Sequence, residues 1–146
     1  MALTTSLVLA ACGGSDSSSD STTASAKKYA DAASCASDKT LTKGELTIGT
    51  GDPAYEPWVV GDKPESKEGF EAAVAYAVAE QLGFADAQVK WVRTTFDEAI
   101  QPGAKKFDFN LQQYSITEER KQTVTFSDGY YTTNQAIVGL TDSAAK

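Results

Sequence analysis

Apolar and polar positions along the chain follow two rhythms that alternate. Residues 45–50 (ELTIGT) alternate and are rich in β-forming types, which predicts a strand. Gly51, Asp52 and Pro53 break it with turn chemistry, and Tyr55, Pro57 and Trp58 place two aromatics in the loop that follows. Phe70, Ala73, Val74, Ala77, Val78 and Leu82 recur at helical spacing between Gly69 and Gly83, so residues 70–82 are predicted to form an amphipathic helix with a glycine stop. Residues 88–93 (QVKWVR) alternate again, with Val89 and Trp91 on one face. A short helix over 96–101 ends at Pro102-Gly103. Phe107, Phe109 and Leu111 alternate with Asp108, Asn110 and Gln112, a third strand. Ser115 and Glu118 have the Ser-x-x-Glu spacing of a capping box and open another short helix. Residues 123–126 return to a β pattern, Gly129 breaks it, and 134–140 (NQAIVGL) is the last predicted strand.

Strands that alternate with helices define an α/β fold with a mostly parallel sheet flanked by helices. In such sheets ligands bind beyond the carboxyl ends of the strands. The loop 51–58 and the turn 112–117 both leave carboxyl ends, so the pattern puts the chain's aromatic loop and its most polar turn on one rim.

Composition narrows the chemistry. The chain has 146 residues, room for one ordinary domain, with 13 Lys+Arg against 20 Asp+Glu and a net charge of −7. A basic footprint for nucleic acid is absent. There is no histidine, which removes Ser-His triads and the commonest metal ligand. No cofactor or metal site is visible in the sequence, and Glu118-Glu119 reads as a solvated helix face.

Residues 2–11 are a short apolar stretch ending in small residues, followed by Cys12, the pattern of an export signal rather than a fold element. Leu9-Ala10-Ala11-Cys12 resembles the lipobox of bacterial lipoproteins, which implies lipidation of Cys12. The first basic residue is Lys27, so residues 1–12 are expected to be a lipoprotein signal segment shortened at its start. Residues 13–40 are expected to be a flexible Ser/Gly/Thr-rich linker, and residues 41–146 the folded domain. Cys35 is then a free thiol, lacks its partner, or pairs with Cys12.

The turn after the third strand carries the candidate chemistry. A helix start presents unpaired N–H groups and partial positive charge. Ser115 can cap one of them, and the planar fork of Arg120 matches a carboxylate. Ser115, Thr117 and Arg120 together would make a carboxylate cradle. From the residues alone a structural alternative stands beside it: Ser115 a plain cap, Thr117 solvated, Arg120 paired with Glu119 or Asp128.

Three stretches, in order, carry a wider resemblance. FDFNLQQYSITEERKQTVTFSDGYY resembles the hallmark of the family 3 extracellular solute-binding proteins, the amino-acid receptors of ABC-type importers. TGDPAYEPW, from Thr50 to Trp58, is similar to that family's first ligand loop, and GFEAAV, from Gly69, to its Gly-Phe motif opening the first helix. The resemblance runs from about Leu41 to the C-terminus. It implies that Arg120 binds a ligand's α-carboxylate, with Ser115, Thr117 and local N–H groups assisting. Asp52 would face the amino group or a polar side chain, and Tyr55 and Phe96 would form apolar walls. Gln112, Gln113 and Tyr114 are larger than the small residues usual before this turn. They would narrow the pocket or, as with the Gln113 amide, hydrogen-bond the ligand.

The resemblance implies a periplasmic-binding-protein-like lobe with the second lobe absent, because the chain stops where that lobe would follow. A lone lobe supplies the cradle but leaves its ion pair in water, where an exposed pair is worth roughly 0–1 kcal/mol, so weak affinity is expected. The expected activity is binding without chemistry on the ligand, outside the cytoplasm, lipid-anchored to the cell membrane, with delivery to the permease of an ABC-type importer. Two other readings stay open: a dehydratase built on the same fold, and a surface or sensor lipoprotein with no transport role.

Overall fold

The computed structural model describes residues 31–140. Cys12, the predicted signal segment and residues 13–30 of the predicted linker lie outside the described residues. Among these, three strands form one parallel sheet in the order β2-β1-β3: β1 is Leu46–Gly51, β2 Val89–Thr94 and β3 Phe109–Asn110. Three α-helices accompany them: α1 is Ala32–Ser37, α2 Phe70–Gln81 and α3 Phe96–Ile100. This is the α/β lobe that the alternating rhythms predict.

The central strand β1 pairs along its whole length with β2, from Leu46 opposite Val89 to Gly51 opposite Thr94. On its other side Ile48 and Gly49 face Phe109 and Asn110. Bonds from Asp108 N–H to the Thr47 carbonyl and from Leu111 N–H to the Gly49 carbonyl extend that pairing at both ends. A glycine at 49 is required there, because a Cβ would lie 2.2 Å from Asn110 Nδ2 and 2.9 Å from the Phe107 ring. The carboxylate of Asp108 accepts from the Leu41 and Thr47 N–H groups, both at 2.7 Å, and so ties the entry of β1 to β3.

The core is Leu46, Ile48, Ala75, Ala79, Phe84, Val89 and Leu111. One feature of the predicted helix is overturned. The buried face of α2 is Ala75 and Ala79 in the core, Ala72 against Ala54 and Val59, and Glu71, whereas Phe70 and Val78 are exposed. Methyl-sized side chains let the helix lie close on the strands, while the larger residues pack sideways: Phe70 against Trp58 at 5.9 Å between ring centres, and Tyr76 against Trp91 at 6.1 Å.

Further differences follow at the ends. Residues 32–37, inside the predicted linker, form α1, capped by Asp31 through the Ser34 N–H at 2.7 Å, and Ala36 packs against the core. Cys35 is a half-buried free thiol on this helix. Residues 123–126 and 134–140 are not strands. A β pattern needs a neighbouring strand to pair with, and Ile137, Val138 and Leu140 stand 97%, 93% and 80% exposed.

Candidate functional site

With β1 in the centre, the chain leaves it first towards β2 and then crosses back to β3. The crevice between the carboxyl ends of β1 and β3 is therefore the switch point where α/β sheets take ligands. The predicted loop and the predicted turn meet there: a Cβ on Gly51 would lie 3.1 Å from the Gln112 side-chain amide.

A polar lattice floors this crevice. Asn110 Nδ2 donates to Thr94 Oγ1 at 3.0 Å, and the Thr94 hydroxyl lies 3.4 Å from the Thr50 carbonyl. The Tyr114 hydroxyl reaches Asn110 Oδ1 at 2.8 Å and Gln112 Oε1 at 2.9 Å. Burial, with a smaller contribution from the negative charge of Glu71, pushes the Tyr114 hydroxyl's pKa well above the ordinary tyrosine value.

On the β1 side the loop is held by a charged pair. Arg93, at the end of β2, donates through Nη1 to the Gly51 carbonyl at 2.9 Å and to Asp62 Oδ1 at 2.6 Å, and through Nη2 to the Asp62 carbonyl at 2.5 Å. Asp62 also accepts from the Ala54 N–H at 2.8 Å. That backbone bond, then Arg93, holds the Asp62 carboxyl below the usual carboxylate range. The loop so fixed carries Asp52, exposed and without an ion-pair partner among the described residues, and Tyr55, 64% exposed.

On the β3 side the turn differs from its prediction. No helix begins at Ser115, so that residue is not a cap and offers no row of free helical N–H groups. A three-residue 3-10 turn, Arg120–Gln122, stands in its place. The side chain that accepts there is Thr117, from the Arg120 N–H at 3.3 Å. Glu118 pairs with Lys121 at 2.7 Å. Arg120 is half-buried, and its guanidinium sits 4.9 Å over the Phe96 ring while Nη1 donates to the Ser115 carbonyl at 2.9 Å. It pairs with neither Glu119 nor Asp128, and no carboxylate among the described residues neutralises it.

Phe96 comes from α3, which starts with a reciprocal cap. Thr95 Oγ1 accepts from the Glu98 N–H at 3.2 Å, and Glu98 accepts from the Thr95 N–H at 2.9 Å. The Thr95 N–H, then the Thr95 hydroxyl at 3.0 Å, hold the Glu98 carboxyl below its usual range. Phe96 also packs on Tyr114 at 4.9 Å between ring centres. The fold thus gathers Arg120, Phe96, Tyr114, Ser115 and Thr117 on one side of the crevice and sets Asp52 and Tyr55 on the other.

Gln113 is engaged within the chain: its backbone N–H donates to Glu71 Oε1 at 2.8 Å and its side-chain amide to Glu71 Oε2. Glu71, Asp62, Arg93 and Thr95 escaped the sequence reading. Thr95-x-x-Glu98 carried a legible capping spacing, but nothing local marks Arg93 as the partner of a residue thirty-one positions away. Two surface depressions, of about 450 and 610 Å³, lie elsewhere, one lined by Ile116, Lys121 and residues 124–129, the other along the outer face of α2.

The parallel α/β lobe thus carries, beside its switch point, an arginine with no carboxylate partner among the described residues. The profile of the bacterial extracellular solute-binding proteins, family 3, matches residues 46–145, and the chain belongs to that family. It is 34% identical over 89 residues to the L-arginine-binding protein of Pseudomonas aeruginosa, covering 60% of this chain and 33% of that protein. It is 31% identical over 101 residues to the lysine/arginine/ornithine-binding periplasmic protein of Escherichia coli K12, covering 67% and 36%. With the histidine-binding periplasmic protein of Salmonella typhimurium it shares 30% over 95 residues, covering 64% and 35%. The chain spans about a third of the length of these curated relatives. No solved structure matches it. Among the described residues no helix is long and apolar enough to cross a membrane.

Proposed function

We propose that this chain supplies one wall of a cleft that binds an amino acid, without chemistry on the ligand. The observation that carries the reading is the half-buried Arg120 guanidinium, seated on Phe96, anchored by the Ser115 carbonyl and lacking a carboxylate partner among the described residues. A guanidinium so oriented keeps N–H groups for an incoming carboxylate, and its fork favours two-point capture. Ser115 and Thr117 flank that point. Asp52, exposed across the crevice, takes the ligand's cationic end, and Tyr55 and Phe96 face its apolar part. The three relatives are named for arginine, for lysine, arginine and ornithine, and for histidine, and a carboxylate at Asp52 with no ion-pair partner among the described residues suits a basic amino acid.

The protein works outside the cytoplasm, tethered through a lipid on Cys12, and hands its ligand to the permease of an ABC-type importer. Nuclear magnetic resonance titration of the chain with L-arginine, L-lysine and L-histidine, with L-glutamate as control, tests the binding. Expected are shifts confined to residues 52–55 and 114–120, at dissociation constants weaker than about 100 μM because one wall leaves the ligand largely in water. Arg120→Ala abolishes them. The reading is overturned by shifts that survive Arg120→Ala, or by no response to any basic amino acid.

A further inference from the structure

Glu71 is 1% exposed, in the first turn of α2, and among the described residues it has no cationic partner. Buried carboxylates are costly unless their oxygens are satisfied. Here three donors satisfy them: the Gln113 N–H at 2.8 Å, the Gln113 side-chain amide, and the Tyr130 hydroxyl at 2.5 Å. The amino end of α2 adds favourable partial charge.

Two of these donors belong to a residue in a costly conformation. Gln113 has φ +51°, the left-handed region, which a side chain other than glycine enters only when its surroundings hold it there. Gln113 also lies between β3 and the stretch that carries Ser115, Thr117 and Arg120. A change of backbone region at 113 would redirect everything that follows. The third donor, Tyr130, lies ten residues beyond Arg120, so one carboxylate grips both ends of the segment that contains the arginine.

We infer that Glu71 is a positioning residue for the ligand turn: it holds Gln113 in the left-handed conformation and thereby aims Arg120 into the crevice between β1 and β3. Glu71 touches no ligand in this scheme. Its place in binding rests on the function proposed above, but its effect on the turn is readable without ligand.

The test is the amide spectrum and hydrogen exchange of the unliganded chain. In Glu71→Ala, protection of the Gln113 N–H falls at least tenfold and the resonances of residues 114–120 move. In Glu71→Ala/Gln113→Gly the resonances of 115–120 return towards their original positions, because glycine adopts the left-handed region unaided. A residue that merely filled the core would show no such rescue. Should Glu71→Ala fail to fold, Glu71→Gln keeps the shape with a weaker acceptor and lowers Gln113 protection about threefold to tenfold. Unmoved 114–120 resonances in Glu71→Ala, no return in the double variant, or unchanged Gln113 protection in Glu71→Gln overturns the assignment. Loss of amino-acid response in the parent chain would sink the proposed function and leave this result standing.

Discussion

The two sides of the crevice are fastened by opposite physics. The β1 loop is held by Arg93 and Asp62, whose side chains are 32% and 48% exposed. The turn after β3 is held by Glu71, shut away from water and paired with neutral donors. An exposed pair is screened by salt and contributes little. A buried carboxylate is unscreened, and losing it strands its donors. The side that carries Arg120 is therefore the fixed jaw, and the side that carries Asp52 and Tyr55 the more weakly fastened one.

The contrast can be broken from either side. Glu71→Ala is expected to have the largest effect, about 3 kcal/mol of stability from the three donors it strands, with little dependence on salt in urea melts. Gly49→Ala comes next, since its methyl would meet Asn110 and Phe107; the forced shift costs about 2 kcal/mol, seen in the same melts. Alkali probes the fixed jaw a third way. Burial, then the bond to Glu71, raises the Tyr130 pKa above its ordinary value of 10.0. The folded chain thus holds this proton more tightly than the unfolded chain. That stabilisation is complete below pH 10 and is lost as pH rises further, so Tyr130→Phe flattens the alkaline fall of stability.

The smallest effect belongs to the other jaw. Asp62 titrates below its ordinary 3.8 when folded, so its contribution is present above that pH and is lost as pH falls through the folded value. Asp62→Asn should remove a slight acid dependence, visible at low ionic strength and absent at 1 M salt. A strong salt-independent loss in Asp62→Asn would erase the distinction between the jaws.

Local rhythm was enough to find β1, β2, α2 and α3 within a residue or so, because each has a full period of its own. It misjudged which face of α2 is buried, since counting large apolar residues gives Ala72, Ala75 and Ala79 too little weight; there the small volume is what permits close contact with the sheet. It placed strands at 123–126 and 134–140, where alternation is present but no pairing strand is among the described residues. At the candidate site, the family resemblance pointed to Arg120 and Phe96, which the fold brings together. The supports were illegible: Glu71 lies forty-two positions from Gln113, and Arg93 thirty-one from Asp62.

The alanine face of α2 has one more consequence. Because Ala75 and Ala79 pack against Leu46 and Ile48 in a filled core, a bulkier residue at either position would act as a wedge, pushing on the rod that bears the acidic anchor. A change of volume in the hydrophobic interior would then be felt at the far end of the turn that Glu71 holds, so those alanines set its geometry from a distance.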